Sequence, residues 1–77
     1  MITILNVLKP LLADIFDVEE EDISPAVTFE DLQADYEDML EISLIAEEEF
    51  DVSIEPTELK KIHSVGDLIA YIEAKEQ

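Results

Sequence analysis

Apolar residues at three- and four-residue spacing open the chain and predict an amphipathic first helix that ends near Asp17. The apolar face of this helix comprises Leu5, Leu8, Leu11, Leu12, Ile15 and Phe16. Pro10 falls inside the pattern. Because proline lacks a backbone donor and crowds the preceding turn, we expect either a kink at this position or a late helix start near Asn6.

A second helix is predicted to begin after Asp35 and to run to about Phe50. Asp35 is suited to accept hydrogen bonds from the free amides of the first turn, and Asp38 adds negative charge at the positive end of the helix dipole. The predicted buried stripe consists of Met39, Ile42, Ala46 and Phe50, with Ile45 at its margin. Leu40 and Leu44 point elsewhere, one turn apart among acidic residues, which predicts an exposed docking strip.

A long loop is predicted between these two helices. Residues 19–22 (EEED) lead into a turn signal at residues 23–25 (ISP). Thr28 and Asp31 are expected to cap a single short turn within the loop.

The last third of the chain predicts two more helices. Pro56 suits the first turn of a short third helix that ends near Lys61. Ser64 and Asp67 form an N-terminal cap for a fourth helix. The residues of this helix that face inward are Val65, Leu68, Ile69 and Ile72. The β-branched alternation of residues 51–54 is too short to build a sheet and is interpreted as a connecting segment.

The length and composition indicate one small folded domain spanning residues 1–77. A chain of this size removes only about 60 to 65% of its unfolded surface from water, so its stability should be modest. The hydrophobic fraction of 48% exceeds that of a disordered acidic tail. The absence of cysteine excludes disulfides, thiolate metal sites and cysteine nucleophiles. The first residues lack the basic start and long apolar run of a signal peptide, and we expect a cytoplasmic protein.

The charge of the chain restricts its partners. Its formal net charge is -17, with 21 acidic residues against four basic ones, and no basic residue lies between Lys9 and Lys60. Such a surface repels phosphate backbones and anionic lipids, so we expect binding to neither nucleic acid nor membrane. Basic proteins are its natural complement. Because like charges oppose association, we expect a monomer.

Residues 31–38 read DLQADYED, continue into LEI at residues 40–42, and are followed by EEEF at residues 47–50. This segment resembles the prosthetic-group attachment region of acyl carrier proteins, and residues 54–72 resemble the closing half of the same family. The family has Asp-Ser-Leu where this chain has Asp35-Tyr36-Glu37. Two further departures are Gln33, which replaces a glycine, and Pro10, which interrupts a helix that is continuous in the family.

The resemblance implies an all-α, four-helix carrier-protein bundle with a short third helix, and a function that is not enzymatic. In the family the serine receives phosphopantetheine, but the phenol of Tyr36 lies farther from the backbone and is less nucleophilic when ionised, so we expect no cofactor. The spacing of the carboxylates singles out no acid and base pair, and there is no phosphate-binding glycine loop, so we expect no catalytic residue. The implied partner is a basic patch on an enzyme or regulatory protein of acyl metabolism, of the fatty acid or polyketide type. The implied partner-binding residues are Tyr36, Glu37, Leu40, Glu41, Leu44, Glu47 and Glu48.

An alternative function is that of a working acyl or aminoacyl carrier, modified at an unexpected residue or with its serine replaced. Ser43 is also followed by leucine, but it falls in the middle of the second helix, near its buried edge, and not at an exposed helix start. A third possibility is a metal-buffering or structural acidic module. The acidic groups at residues 31–38 and 19–22 lack EF-hand spacing, so we expect weak, screening-type occupancy by calcium or magnesium and no structural metal site. His63 has no second histidine or cysteine with which to bind zinc.

The resemblance also raises the question of the family's acyl pocket, beneath the second and third helices. Without a tethered chain this pocket has no evident use. We therefore expect it to be filled, with Met39 and Ile62 as the side chains that plug it.

Overall fold

The computed structural model describes residues 3–76 and contains four α-helices. They are α1 (Ile4–Phe16), α2 (Tyr36–Phe50), α3 (Pro56–Leu59) and α4 (Val65–Glu76). Within residues 3–76 there is no β-strand, and one isolated antiparallel bridge joins Thr28 to Ser64. The predicted all-α architecture, with three longer helices and a short third one, is confirmed. None of these helices is both long and apolar enough to cross a membrane.

The first helix begins at Ile4, before the late start near Asn6 that was one of the two alternatives for Pro10. Thr3 caps it, since its Oγ1 accepts a hydrogen bond from the Asn6 N–H at 3.1 Å, and the helix then continues through Pro10. The late start near Asn6 is therefore wrong. Proline removes the donor that would reach the Asn6 carbonyl, but Asn6 is exposed, so water can satisfy that oxygen. The predicted end near Asp17 is confirmed.

One hydrophobic core is shared by α1, α2, α4 and the long loop. Leu8 and Leu12 of α1 are fully buried, whereas the other predicted members of that face are only partly buried. The inward residues of α4 are as predicted, with Ile69 partly buried and the other three at 0% exposure. The largest fully buried side chains are Leu8, Leu12, Ile23, Ile42, Val65, Leu68 and Ile72.

Backbone hydrogen bonds attach the long loop to the start of α4. The Phe29 N–H donates to the His63 carbonyl, and the Val65 N–H donates to the Val27 carbonyl, both at 2.9 Å. These bonds hold Phe29, which is 4% exposed, against the core. The short turn predicted at Thr28 is confirmed, because its Oγ1 accepts from the Asp31 N–H at 3.0 Å. The acidic stretch forms a 3-10 helix, Glu20–Asp22, which was not predicted.

The caps of the last two helices follow the sequence pattern. Pro56 is the first residue of α3, which ends at Leu59, slightly before the predicted end. Ser64 and Asp67 cap α4 reciprocally: the Asp67 N–H donates to Ser64 Oγ at 3.0 Å, and the Ser64 N–H donates to Asp67 Oδ2 at 3.2 Å. Residues 51–54 form neither helix nor strand, as predicted.

Candidate functional site at the start of the second helix

Tyr36 is the first residue of α2, and a reciprocal cap fixes the backbone on which it lies. Asp35 Oδ1 accepts from the Asp38 N–H at 2.9 Å, and Asp38 Oδ2 accepts from the Asp35 N–H at 3.1 Å. The predicted capping role of Asp35 is confirmed. The return bond from Asp38 was missed, although an acidic side chain three residues after the cap is a recognised signal for it. Both carboxylates therefore orient the helix start.

Gln33 turns the chain into this cap through a left-handed backbone conformation, with φ of 60°. The neighbouring Ala34 N–H donates to the Phe29 carbonyl at 3.0 Å, and the Gln33 N–H donates to the Glu30 carbonyl at 3.0 Å. A left-handed residue with a side chain is less stable than glycine in the same geometry. The departure at Gln33 therefore lies at a position where the backbone favours glycine.

Three large apolar side chains are exposed along α2: Tyr36 at 62%, Leu40 at 38% and Leu44 at 54%. They recur every four residues, so they follow one another along one side of the helix. We refer to them as the apolar strip. The exposure predicted for both leucines is confirmed, and so is the burial of Ile42 and Ala46 on the opposite side.

Exposed carboxylates surround the apolar strip. We refer to them as the acidic frame, which consists of Glu37, Glu41, Glu47 and Glu48. The ion pair found within residues 3–76 joins Lys61 Nζ to Glu58 Oε1 at 3.7 Å, and both belong to the α3 region. Within that part of the chain, no carboxylate of the acidic frame has a basic partner. The strip and the frame together can offer apolar contact and negative charge to another molecule.

Comparison with known proteins agrees with this architecture. The family described as "Phosphopantetheine attachment site" matches residues 6–72. The chain is also 39% identical over 74 residues to an acyl carrier protein of Lactobacillus acidophilus. The aligned residues cover 95% of this chain and 92% of that protein. The chain belongs to the acyl carrier protein family. Acyl carrier proteins are not enzymes, and they interact with the enzymes of acyl metabolism, so the predicted family and non-enzymatic class are confirmed.

Ser43, the serine considered as an alternative attachment residue, does not lie at an exposed helix start. Ser43 lies within α2, is half-buried, and its Oγ donates to the Leu40 carbonyl at 2.7 Å. This back-bond to the preceding turn occupies its hydroxyl hydrogen.

The part of the chain from residue 3 to residue 76 contains no group of three or more histidine or acidic side chains arranged to hold a metal ion.

Open space remains between the long loop, α2 and α3. A groove of about 440 Å³ opens there, and the residues that line it are Thr28, Phe29, Glu30, Ala34, Met39, Leu59, Lys60, Ile62 and His63. The prediction of a filled pocket is therefore wrong. Met39 and Ile62, the predicted plugs, line the groove without closing it. Ile62 is 6% exposed and belongs to the core, whereas Met39 is only partly buried.

A second, smaller hollow lies beside the groove, next to Tyr36. Its volume is about 100 Å³, and its lining residues are Tyr36, Met39, Pro56, Leu59 and Lys60. Sequence reasoning placed Pro56 correctly as a helix start but did not bring α3 to the side of Tyr36. No local pattern in the sequence could have done so, since the contact depends on how two helices pack.

Proposed function

We propose that this member of the acyl carrier protein family is a docking protein that carries no cargo. It binds an enzyme or regulator of acyl or related thioester metabolism, of the fatty acid or polyketide type, through α2. One observation carries this proposal: Tyr36, 62% exposed, occupies the first position of α2, next to the exposed Leu40 and Leu44. We take Tyr36 as the counterpart of the family's attachment serine.

The chemistry of the side chain supports a loss of cargo. A phosphopantetheine site built around a primary alcohol must position a hydroxyl one carbon away from the backbone. In Tyr36 an aromatic ring separates the hydroxyl from the backbone, and Glu37 adds a negative charge immediately after it. The ring suits recognition better than modification, since exposed tyrosines combine apolar contact area with a hydrogen-bonding group.

The apolar strip and the acidic frame have different tasks in this proposal. Burying Leu40, Leu44 and the ring of Tyr36 supplies most of the binding energy. Because the leucines are only 38% and 54% exposed, each gains about half of the 1.5 to 3 kcal/mol of a fully transferred side chain. The acidic frame attracts and orients a basic patch on the partner, which affects the association rate more than the final affinity. Both sets follow one side of α2, so a single partner surface can meet them together.

A monomeric state and a cytoplasmic location belong to the same proposal. The formal net charge of -17 opposes association between copies of the chain. A chain without cysteine is compatible with a reducing compartment, where many enzymes act on acyl thioesters.

Intact mass spectrometry of the protein purified from its native host tests whether cargo is present. The expected mass is that of the unmodified chain, also after incubation with coenzyme A and a broad phosphopantetheinyl transferase. An increase by one phosphopantetheine would instead support the alternative, a working carrier. Tyr36→Ser, alone and with Glu37→Leu, serves as the positive control, because modification of that variant shows that only the local motif was lost.

Capture of binding proteins from the native host extract tests the docking face. The double variant Leu40→Ala, Leu44→Ala is expected to recover at least about tenfold less of the partner than the wild type, because two interface leucines are truncated. Glu73→Ala with Lys75→Ala is the matched control, since both residues are exposed on α4 and the net charge is unchanged. Equal capture by the leucine variant, with an intact helical spectrum, would refute the docking proposal.

A further inference from the structure

The start of α2 is ordered and exposed, although its first side chain is not an aliphatic alcohol. The reciprocal bonds between Asp35 and Asp38, at 2.9 and 3.1 Å, fix the backbone of the first turn. Tyr36 is 62% exposed there, and Leu40 and Leu44 follow it on the same side of the helix. An enzyme that approaches this helix start therefore meets a fixed backbone, an exposed side chain at position 36 and the apolar strip.

The absence of an arm favours one class of enzyme as the partner. The family model that matches this chain describes a phosphopantetheine attachment site. Enzymes that act on the cargo of such a protein draw part of their binding energy from the arm and the cargo, and they lose that part with an unloaded chain. The enzyme that attaches the arm acts before the arm is present, so it binds its substrate through the protein surface. A chain that carries no arm therefore suits the attaching enzyme best.

The attachment reaction needs an aliphatic hydroxyl at a defined position. The serine oxygen of a conventional carrier forms a bond to the phosphorus of coenzyme A that bears the pantetheine arm. The bond from that phosphorus to adenosine bisphosphate breaks, and the hydroxyl proton passes to a base of the enzyme. The oxygen and the phosphorus must first approach to about 3 to 3.5 Å. In Tyr36 the ring separates the hydroxyl from a backbone fixed by the cap, so the phenol oxygen does not lie where a serine oxygen would react.

We infer that this chain is a pseudosubstrate inhibitor of the enzyme that transfers phosphopantetheine from coenzyme A to conventional acyl carrier proteins. This role rests on the proposed function and names its partner. The acidic frame attracts a basic surface of the transferase, and the apolar strip binds to it. Tyr36 then takes the place of the reacting serine without being modified, so the chain lowers the rate at which conventional carriers are loaded.

Inhibition kinetics test this role. The assay contains a phosphopantetheinyl transferase, coenzyme A and the acyl carrier protein of Lactobacillus acidophilus as the substrate, and intact mass spectrometry follows the loading of that substrate. With this chain in excess, the apparent KM for the substrate carrier is expected to rise at least about fivefold at an unchanged kcat, as for a competitor of the carrier. The chain itself is expected to keep its unmodified mass.

Two variants distinguish specific docking from a general effect of negative charge. Leu40→Ala with Leu44→Ala keeps the net charge and the helical spectrum, and it is expected to inhibit at least about fivefold less strongly. Glu73→Ala with Lys75→Ala, at exposed positions of α4, is expected to inhibit like the wild type. Equal inhibition by the leucine variant would show that charge alone blocks the enzyme, and it would overturn the pseudosubstrate role.

A third variant tests the orientation in which the chain binds the transferase. Tyr36→Ser with Glu37→Leu is expected to change the chain from an inhibitor into a substrate, with a mass increase of one phosphopantetheine. If the wild type inhibits but this variant stays unmodified, the chain binds elsewhere on the enzyme, and the pseudosubstrate role is wrong.

The wild-type chain separates this role from docking itself. No inhibition, together with capture of another protein that depends on Leu40 and Leu44, would overturn the pseudosubstrate role and leave docking intact. Neither inhibition nor capture would overturn both. Phosphopantetheine on the wild-type chain would also overturn both, since the chain would then be a working carrier.

Discussion

Gly66 of α4 lies against the carbonyl of Pro25 in the long loop. Its N–H donates to that oxygen at 2.9 Å, and a β-carbon built on Gly66 would lie 2.9 Å from the same oxygen. A carbon and an oxygen do not approach this closely without displacement. The atom in the way belongs to the backbone, so it cannot move aside as the end of a flexible side chain could. This contact joins the loop before α2 to the start of α4.

Gly66→Ala is therefore expected to destabilise the protein, against the usual effect of this substitution. In an exposed helix interior, alanine is about 1 kcal/mol better than glycine. Here the collision with Pro25 must displace the loop, and we expect a net loss of about 1 to 2 kcal/mol in the free energy of unfolding. Urea denaturation followed by circular dichroism measures it. Ala74→Gly, at an exposed position of the same helix, is the control that measures the difference in helix propensity between alanine and glycine. If Gly66→Ala were more stable than the wild type, the contact between residue 66 and the Pro25 carbonyl would not be tight.

Gln33→Gly is expected to stabilise the protein. Gln33 has a φ of 60°, where an L-residue with a side chain is strained by about 1 to 2 kcal/mol, while glycine loses more entropy on folding, by about 0.5 to 1 kcal/mol. The net gain should be about 0.5 to 1 kcal/mol in urea denaturation. Gln33→Ala keeps the strain, so it should show no gain. A glycine variant no more stable than the alanine variant would contradict this explanation.

Neutralising acidic residues at the two ends of α2 is expected to change the stability by different amounts. Asp51 follows the last turn with a φ of 57°, near the negative end of the helix dipole, and Asp38 lies in the first turn, near the positive end. Asp51→Asn should stabilise by about 0.3 to 1 kcal/mol, since asparagine also tolerates this backbone conformation, and Asp38→Asn should be less stable than Asp51→Asn. Each variant removes one negative charge, so the general relief of repulsion cancels in the comparison. Thermal denaturation at low salt measures the difference, and equal stability of the two variants would exclude a dipole effect.

The features that the sequence predicted well are those determined within one or two turns of helix. The cap at Asp35, the reciprocal cap of Ser64 and Asp67, and the burial of Ile42 and Ala46 all depend on residues three or four positions apart. Met39 and Phe50, the other predicted members of the buried stripe, are only partly buried. The start of α1 was harder to predict. The late start near Asn6 was wrong, because Thr3 caps the helix upstream and the burial of Leu8 and Leu12 stabilises the turns around Pro10.

The features that were missed depend on distant parts of the chain. The attachment of the loop to α4 uses backbone groups of Val27, Phe29, His63 and Val65, which carry no signature in the side chains. The groove and the hollow depend on the distance between α2 and α3, which no periodicity encodes. The apolar strip could be found from the sequence, whereas Pro56 and Lys60 join it only in the folded protein.

The acidic frame should increase the rate at which the partner associates with α2. Glu47 and Glu48 lie three and four residues after Leu44, so they extend the apolar strip by one turn on its side of α2. Glu47→Gln with Glu48→Gln is expected to slow association with the captured partner about three- to tenfold at low salt, with little change in dissociation. The reason is that these charges attract the partner over a distance comparable to the Debye length, which is about 10 Å at 0.1 M salt.

Glu20→Gln with Glu21→Gln provides the matched control for this prediction. It changes the net charge by the same amount, but in the 3-10 helix, which packs against α1. This control should slow association by less than about twofold, and raising the salt concentration should remove the difference between the two variants. Stopped-flow or surface plasmon resonance measurements at two salt concentrations report both rates. If the two variants slow association equally, net charge alone governs the encounter, and the acidic frame has no directing role.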